Sequence, residues 1–364
     1  MKMNDYLPGM QQMDSDILPR VHDGLRDFSP ENCTEVDVRA ALACAAPGIA
    51  EFAALLSPAA EPLLEEIARA AQSATRRWHG NTVGLYTPLY IANYCENHCS
   101  YCGFSCHQSI TRAKLSMEEL RCRAEEIAAT GLQEILVLTG ESRRESSVEY
   151  IAQAVTLLRD YFPAIGIEIY PLNADEYAQL RHAGADYVSV YQETYDPILY
   201  DKLHLSGPKR CYPYRFYAQE RALLGGMRGV SFGALLGLGD WRQDIFAAGL
   251  HAHFTQRKHP QAEIAFSLPR IRPQSRVTER QLMQAMLALR LFMPHAGIAI
   301  STRERPALRD AAVRLAATKM SAGVRTSVSE QDDPQFSIAD PRSVAEIHAM
   351  LKDNGLQPVY LDYV

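Results

Sequence analysis

The sequence predicts a (β/α)8 TIM barrel, an α/β fold in which eight parallel strands close into a cylinder surrounded by helices. Two observations support this prediction. Eight mostly apolar, strand-like runs follow one another between residues 85 and 323, and helical periodicity separates most neighbours. These runs span about 240 residues, close to the roughly 250 that are typical of such a barrel. An open, doubly wound sheet is the alternative, but it is usually built from about five or six strands.

Taken in order, the expected strands are 85–93, 134–140, 165–171, 186–192, 230–237, 263–269, 298–302 and, weakest, 317–323. Expected helices between them include 117–131, 147–162, 174–184 and 279–292. A helix over 62–77 precedes the first strand. An acidic loop from Ser327, a last helix over 341–355 and an extended 357–364 follow the barrel. The predicted organisation is therefore a helical N-terminal extension over 1–79, the barrel over 80–326, and a C-terminal loop and helix over 327–364.

Composition and charge exclude several classes of protein. The net charge of −6 is spread along 364 residues without a run of Lys and Arg, so nucleic acid is not an expected partner. The polar N-terminus lacks the apolar core of a secretory signal. The most apolar stretch, 40–60, contains Pro47, Glu51 and Pro58 and is too broken to cross a bilayer. We expect a cytoplasmic protein without a membrane segment.

Three cysteines with the spacing C-x3-C-x2-C follow the first expected strand. They are Cys95, Cys99 and Cys102, and Cys106 lies four residues further on. In a reducing compartment such a group indicates metal ligation rather than disulfides. A [4Fe-4S] cluster needs four ligands, so three thiolates leave one iron free to bind another molecule. The alternative is a structural zinc site with Cys106 as fourth ligand, although such sites usually join two separated cysteine pairs.

The motif resembles the signature of the radical S-adenosylmethionine (SAM) superfamily. Tyr101 stands immediately before the third cysteine, and a flat ring there suits stacking against a purine. The resemblance implies that Cys95, Cys99 and Cys102 hold a [4Fe-4S] cluster whose open iron binds SAM. The related sequences carry Met at the position of Cys106, so Cys106 is expected to be a bystander.

Further stretches resemble one branch of this superfamily, the tyrosine lyases of thiamine biosynthesis (2-iminoacetate synthases). The resemblance extends from about residue 56 to the segment Gln357-Pro-Val. It implies cleavage of the Cα–Cβ bond of L-tyrosine to 2-iminoacetate and p-cresol. It also implies thiazole synthase as a partner that consumes the imine, and a low-potential flavodoxin or ferredoxin as electron donor. The matching stretches are 80–83, 88–90, 102–105, 139–141, 190–195, 233–238, 266–273 and 301–304.

An amino-acid substrate requires a cation for its carboxylate, and the planar guanidinium of arginine is well shaped for that role. Arg303, at the end of the seventh expected strand, is the first candidate, with Ser301 as a neighbouring donor. Arg270 and Arg272 are second candidates. The alternative is that these arginines pair with local acids such as Glu304.

The resemblance also suggests residues that bind SAM. Gly140 matches the strand edge that receives the methionine amino group in the superfamily. Glu168, Glu141 and Glu193 are candidates for accepting hydrogen bonds from the ribose, although an exposed glutamate in a loop is more often only solvated. His204 is a possible proton donor, but we do not expect this role, because isolated histidines are usually ordinary loop residues.

Three other functions are weighed. The tyrosine-cleaving maturase of [FeFe] hydrogenase carries an additional C-terminal cluster, but Cys211 is the one cysteine after Cys122 here, so that rival is excluded. A relative acting on tryptophan or another aromatic amino acid shares much of the barrel and is left open. A non-catalytic Fe–S electron carrier is the remote alternative, because it needs neither an open iron nor a barrel.

Overall fold

A computed structural model describes residues 3–272, 275–329 and 332–361. It contains the expected closed barrel. The strands are β1 Thr82–Ala92, β2 His98–Cys99, β3 Glu134–Thr139, β4 Ala164–Glu168, β5 Tyr187–Ser189, β6 His204–Ser206, β7 Gly229–Phe232, β8 Glu263–Ser267, β9 Gly297–Ile300, β10 Lys319–Ser321 and β11 Gln357–Val359. In the barrel the strand order is β10-β9-β8-β7-β5-β4-β3-β1, all pairs are parallel, and β1 pairs back to β10.

All eight expected barrel strands are confirmed, including the weakest, which is β10. The prediction missed the short strands β2 and β6, which form a separate antiparallel pair, because two or three residues carry no readable periodicity. The helices are α1 Ile17–Asp27, α2 Glu35–Ala43, α3 Ile49–Leu56, α4 Leu64–His79, α5 Met117–Ala128, α6 Val148–Leu158, α7 Ala174–Ala183, α8 Pro197–Leu203, α9 Tyr212–Phe216, α10 Ala218–Leu224, α11 Trp241–Lys258, α12 Glu279–Phe292, α13 Pro306–Leu315 and α14 Val344–Asp353.

Local sequence explains where several helices begin. In α5 the Ser116 hydroxyl accepts from the Glu119 backbone N–H, and the Glu119 carboxylate accepts from the Ser116 backbone. The same reciprocal arrangement opens α12 at Thr278 and α14 at Ser343. Each cap satisfies backbone groups that a helix leaves unpaired at its start. The capped helices α5 and α12 lie where the periodicity predicted them.

The first residues differ from the expected helical extension. Residues 3–16, here called the N-terminal strap, form no helix and lie against the barrel. The Gln11 backbone N–H donates to Asn173 Oδ1 at 2.9 Å, and the Tyr217 hydroxyl donates to the Ser15 carbonyl at 2.9 Å. Pro8 and Gly9, whose φ is +85°, interrupt any helical run.

The C-terminal segment confirms the expected last helix as α14, and β11 pairs with the first residues of β1. Residues 324–329 and 332–340, together called the roof loop, lie over the carboxyl ends of the strands, where Val324, Gln335 and Phe336 line a cavity. Parts of four predicted segments fall outside the described residues: residues 1–2 of the N-terminal extension, Pro273 and Gln274 after the sixth strand, Glu330 and Gln331 in the acidic loop, and 362–364 of the extended end. Within the part of the chain that the structure describes, no helix combines the length and apolar character needed to span a bilayer.

A buried ion pair anchors the roof loop. The side chains of Arg309 in α13 and Asp340 are both inaccessible to solvent and in contact, and Arg342 donates to Asp340 Oδ2 at 2.7 Å. The backbone N–H of Ala339 donates to the Thr302 carbonyl at 2.8 Å. These contacts fix the loop to the strand end that carries Arg303.

Replacing Asp340 by alanine should destabilise the protein by about 3–5 kcal/mol, because it leaves the Arg309 guanidinium buried without its partner. Burial alone would raise the pKa of Asp340, but Arg342 and Arg309 hold it below the ordinary value. The stabilisation is therefore present above the unfolded pKa of about 3.9 and is lost as the pH falls through the lower folded pKa. Urea unfolding at pH 7 measures the loss. Asp353→Ala, at an exposed position, serves as control, and equal stability of both variants would contradict the assignment.

Candidate active site

The loop with the three cysteines directly follows β1 and is held from both sides. On one side, the Glu96 backbone N–H donates to the Glu141 carbonyl at 3.0 Å. On the other, β2 pairs with β6, and the Ser100 backbone N–H donates to the Leu203 carbonyl at 3.0 Å. The loop is therefore fixed between the end of β3 and the segment around β6.

Cys95, Cys99 and Cys102 line one cavity of about 90 Å³, and Cys106 lies exposed outside it. Burial, with the nearby Glu141 charge second, raises the pKa of the Cys95 thiol to about 11. Burial likewise raises the pKa of Cys99 and Cys102. Bound iron would stabilise the thiolates that burial disfavours.

The position of the fourth thiol of this segment separates the two kinds of site. Cys106, which a zinc site would need as its fourth cysteine, lies exposed outside the cavity that the other three line. A zinc site needs its ligands around one centre, whereas a cubane places each thiolate on a different iron. Three cysteines around one cavity therefore fit a three-ligand cluster.

At the end of β3 the backbone of the cysteine loop packs closely against Gly140. A Cβ on Gly140 would lie 2.3 Å from the Tyr94 carbonyl oxygen, so only glycine fits here. The neighbouring Thr139 hydroxyl lines the cavity, is buried and has no hydrogen-bond partner among the described residues. A buried hydroxyl without a partner suits contact with a polar ligand.

Four buried charges form a closed network beside the cysteines. Lys209 Nζ lies 2.7 Å from Glu193 Oε1 and 3.4 Å from Glu141 Oε1, and Arg215 contacts the same two oxygens at 3.2 and 2.9 Å. Burial would raise the pKa of Glu141, but Lys209 and Arg215 hold it at about 2. Asn97 Nδ2 donates to Glu141 Oε2 at 2.9 Å. The network thus ties the cysteine loop to two strand ends.

This network changes the interpretation of two candidate residues. Glu141 and Glu193 were expected to face ribose hydroxyls, yet both carboxylates are engaged by Lys209 and Arg215. Glu193 has a φ of +72°, which is unusual for a residue with a side chain. Sequence reasoning missed Lys209 and Arg215, and the turn Gly207-Pro208 before Lys209 was the one local signal.

Glu168, at the end of β4, is in a different environment. It is half-buried between the cysteine cavity and a second cavity, and no cation among the described residues forms a salt bridge with it. The Tyr191 hydroxyl donates to Glu168 Oε2 at 3.4 Å. Burial, with the Glu193 charge second, raises the pKa of Glu168 to about 7. Of the three candidate glutamates, Glu168 alone keeps its carboxylate open to a ligand.

The second cavity, of about 190 Å³, contains Arg303 and Ser301. The Arg303 guanidinium lies 3.5 Å from the centre of the Phe336 ring and forms no ion pair in the described chain. Burial lowers the pKa of Arg303. The Ser301 hydroxyl accepts from the Arg303 backbone N–H at 3.2 Å. An uncompensated guanidinium therefore faces this cavity under the roof loop.

Arg270 and Arg272 are arranged differently. Arg270 forms a two-point contact with Glu304 and donates to the Val277 carbonyl at 2.7 Å. Arg272 lies 3.2 Å from Glu304 Oε2 and also donates to the Arg303 carbonyl. Pairing with a local acid thus holds for these two arginines and not for Arg303.

Tyr101 lines the second cavity and bonds to a buried histidine. Its hydroxyl lies 2.9 Å from His204 Nε2, and His204 Nδ1 lies 2.8 Å from the Tyr200 carbonyl. Because a carbonyl only accepts, Nδ1 carries the proton and Nε2 accepts from Tyr101. Burial, followed by Lys209, lowers the pKa of His204 to about 3. The neutral His204 therefore acts as an acceptor that holds Tyr101, and not as a proton donor.

Comparison with known proteins agrees with this arrangement. The model of the radical SAM superfamily matches residues 89–245, and that of the biotin and thiamin synthesis associated domain matches 267–357. The chain is 37% identical over 343 residues to a 2-iminoacetate synthase of Escherichia coli K12, covering 91% of each chain. A 2-iminoacetate synthase of Salmonella typhimurium is 36% identical over the same share.

Solved structures give the same picture. The [FeFe]-hydrogenase maturase HydG of Carboxydothermus hydrogenoformans superposes with a TM-score of 0.87 at 27% identity, covering 96% of this chain and 86% of that one. Methylornithine synthase superposes with a TM-score of 0.72 at 20% identity, which supports the fold alone. The chain therefore belongs to the radical SAM superfamily and, within it, to the family of the 2-iminoacetate synthases.

Proposed function

We propose that this enzyme is a tyrosine lyase, which cleaves the Cα–Cβ bond of L-tyrosine to 2-iminoacetate and p-cresol and supplies the thiazole moiety of thiamine. The observation that carries the proposal is the Arg303 guanidinium, which forms no ion pair among the described residues and lies in a roofed cavity that adjoins the cavity of the three thiols. An amino-acid carboxylate supplies the charge that this cavity lacks. The name of the curated relatives adds support, because 2-iminoacetate is the two-carbon fragment that such a cleavage releases.

The cofactors are assigned to the cavity lined by the cysteines. Cys95, Cys99 and Cys102 would hold a [4Fe-4S] cluster, and residues at the ends of β3 and β4, which line the same cavity, would contact SAM. When bound and reduced by one electron, the cluster and SAM supply methionine and a 5′-deoxyadenosyl radical. Lys209 and Arg215 are the cations nearest to this space that suit the SAM carboxylate. Gly140 and Thr139 border the same space as candidates for the methionine amino group.

Two further residues are assigned to the nucleoside part of SAM. Glu168 accepts hydrogen bonds from the ribose, because its carboxylate is free of salt bridges. Tyr101 lines the adjoining cavity with Arg303, and His204 fixes the position of its ring. We assign this ring to the purine, which would reach it from the cysteine cavity. Glu141 and Glu193 act indirectly, by holding the two cations in place.

The proposed cleavage begins at the amino group of tyrosine. One hydrogen atom would pass from this group to the 5′-deoxyadenosyl radical, giving 5′-deoxyadenosine, and the Cα–Cβ bond would then break to give 2-iminoacetate and a 4-hydroxybenzyl radical. This radical takes up one electron and one proton and becomes p-cresol. Each turnover therefore consumes two electrons from a low-potential donor, for which a flavodoxin or ferredoxin is proposed. Thiazole synthase is the proposed consumer of the imine.

Anaerobic incubation of the reconstituted enzyme with dithionite, SAM and either tyrosine or tryptophan tests this function. We expect p-cresol and glyoxylate, the hydrolysis product of the imine, from tyrosine only. Formation of 5′-deoxyadenosine without p-cresol, or fragments of tryptophan instead, would contradict the proposed substrate.

Replacing Arg303 by lysine should raise the KM for tyrosine about 10- to 100-fold, because a point charge cannot reproduce two parallel hydrogen bonds to a carboxylate. Steady-state p-cresol formation measures the change. Arg305→Lys is the matched control, since Arg305 is exposed and paired with Glu279. Unchanged tyrosine affinity in Arg303→Lys would remove the role assigned to the guanidinium.

Replacing Cys106 by methionine should leave iron content and SAM cleavage unchanged, because the thiol is exposed outside the cavity. Cys99→Ala should abolish both, since it removes one of three ligands. Iron and sulfide analysis of anaerobically reconstituted protein provides the measurement. A loss of iron in Cys106→Met would mean that the ligand set is wrong.

A further inference from the structure

The barrel interior contains a chamber that the reaction described above does not use. It has a volume of about 610 Å³, larger than the two cavities beside the cysteines, and it lies at the amino ends of the strands. Barrel interiors of this type are usually filled by layers of branched side chains. Here branched residues such as Val230 and Ile264 share the lining with small residues that leave room: Gly84, Ser231, Ala265, Gly297 and Ala299.

The chamber adjoins the two cavities at the carboxyl ends of the strands. Tyr86, Tyr191 and Ser267 line both the chamber and the cavity that contains Arg303. Ser189 lines both the chamber and the cysteine cavity, and its hydroxyl donates to the Tyr191 hydroxyl at 2.8 Å. The separation between these spaces is therefore one layer of side chains.

The carboxyl end of the barrel is covered by protein. The Tyr90 hydroxyl donates to Gln335 of the roof loop at 2.6 Å, and Phe336 lies over Arg303. Residues 7–10 of the N-terminal strap lie over the side with Glu141 and Lys209. At the opposite end, Trp78 lines the chamber and is 55% exposed, which marks an outer rim that solvent reaches.

The geometry points to the chamber as the exit route and a second binding site for the imine product, a small molecule with a carboxylate. The product passes the layer of Tyr86 and Tyr191 and leaves at the rim marked by Trp78. This inference rests on the proposed function. An imine hydrolyses in water, so a protected path away from the reaction site preserves it for a consuming condensation reaction. Along the way, hydroxyl groups and the Lys319 ammonium group supply hydrogen-bond donors for a carboxylate. Lys319 is held in place by Glu134 and by the rings of Tyr86 and Tyr187.

Filling the chamber tests the route. The double variant Ala265→Leu/Ala299→Leu adds bulk at two lining positions, and Ala178→Leu on an exposed face of α7 is the matched control. With enzyme in excess over tyrosine, p-cresol formation should stay within twofold of the parent. With tyrosine in excess, the turnover rate should fall about tenfold, because release becomes limiting. Equal turnover rates in the variant and parent, or loss of the single-turnover reaction as well, would overturn the route.

A binding measurement tests the chamber independently of turnover. Trp241→Phe leaves Trp78 as the single tryptophan of the chain, so its fluorescence reports on the rim. Titration with glyoxylate or glycine should give a saturable change that the filled variant lacks and that sodium chloride at equal ionic strength does not produce. Absence of a saturable change in the parent would overturn the binding site. If the parent forms no p-cresol, the proposed function fails, and this titration still decides whether the chamber binds a small carboxylate.

Discussion

The buried network of Glu141, Glu193, Lys209 and Arg215 is the constraint on which the site depends. Four charges out of water are tolerated because each contacts two of opposite sign. The four residues come from the ends of β3 and β5, from the turn after β6 and from α9. Pairing these four charges therefore fixes the positions of the segments around the cysteine loop relative to one another. Loss of one charge would leave an excess of the opposite charge in this poorly hydrated place, so the network is complete only when all the segments that carry it are assembled.

The network also divides the carboxyl end of the barrel into two sides. On one side of the network lie the three thiols, the glycine edge of β3 and the open carboxylate of Glu168. Across the lumen, the roof loop presses Phe336 against Arg303 and shields that cation from water, which strengthens its attraction for a carboxylate. Below both, small side chains leave the lumen hollow. The same closed barrel thus contains a cavity lined by the cysteines, a cavity with Arg303 and a chamber that adjoins both.

Much of the fold was predictable, because eight apolar runs alternate with periodic helices and several helices begin at recognisable caps. The cysteine motif was predictable because its ligands are adjacent in sequence. Lys209 and Arg215 were not, since their partners lie up to 74 residues away and no spacing rule links them. Likewise, the pairing of Arg270 with Glu304 and the open state of Arg303 depend on side-chain directions at neighbouring strand ends, which periodicity does not encode. The strap, which lacks periodicity, could only be seen in three dimensions.

The proposed chemistry at the carboxyl end of the barrel depends on three thiolates that hold a cluster with one iron open to SAM. Electron paramagnetic resonance of the anaerobically reconstituted and reduced protein, recorded with and without SAM, examines that assumption most directly. The account predicts one [4Fe-4S] cluster per chain with a signal that shifts when SAM is added. A zinc-containing protein, or a cluster signal that SAM leaves unchanged, would contradict it.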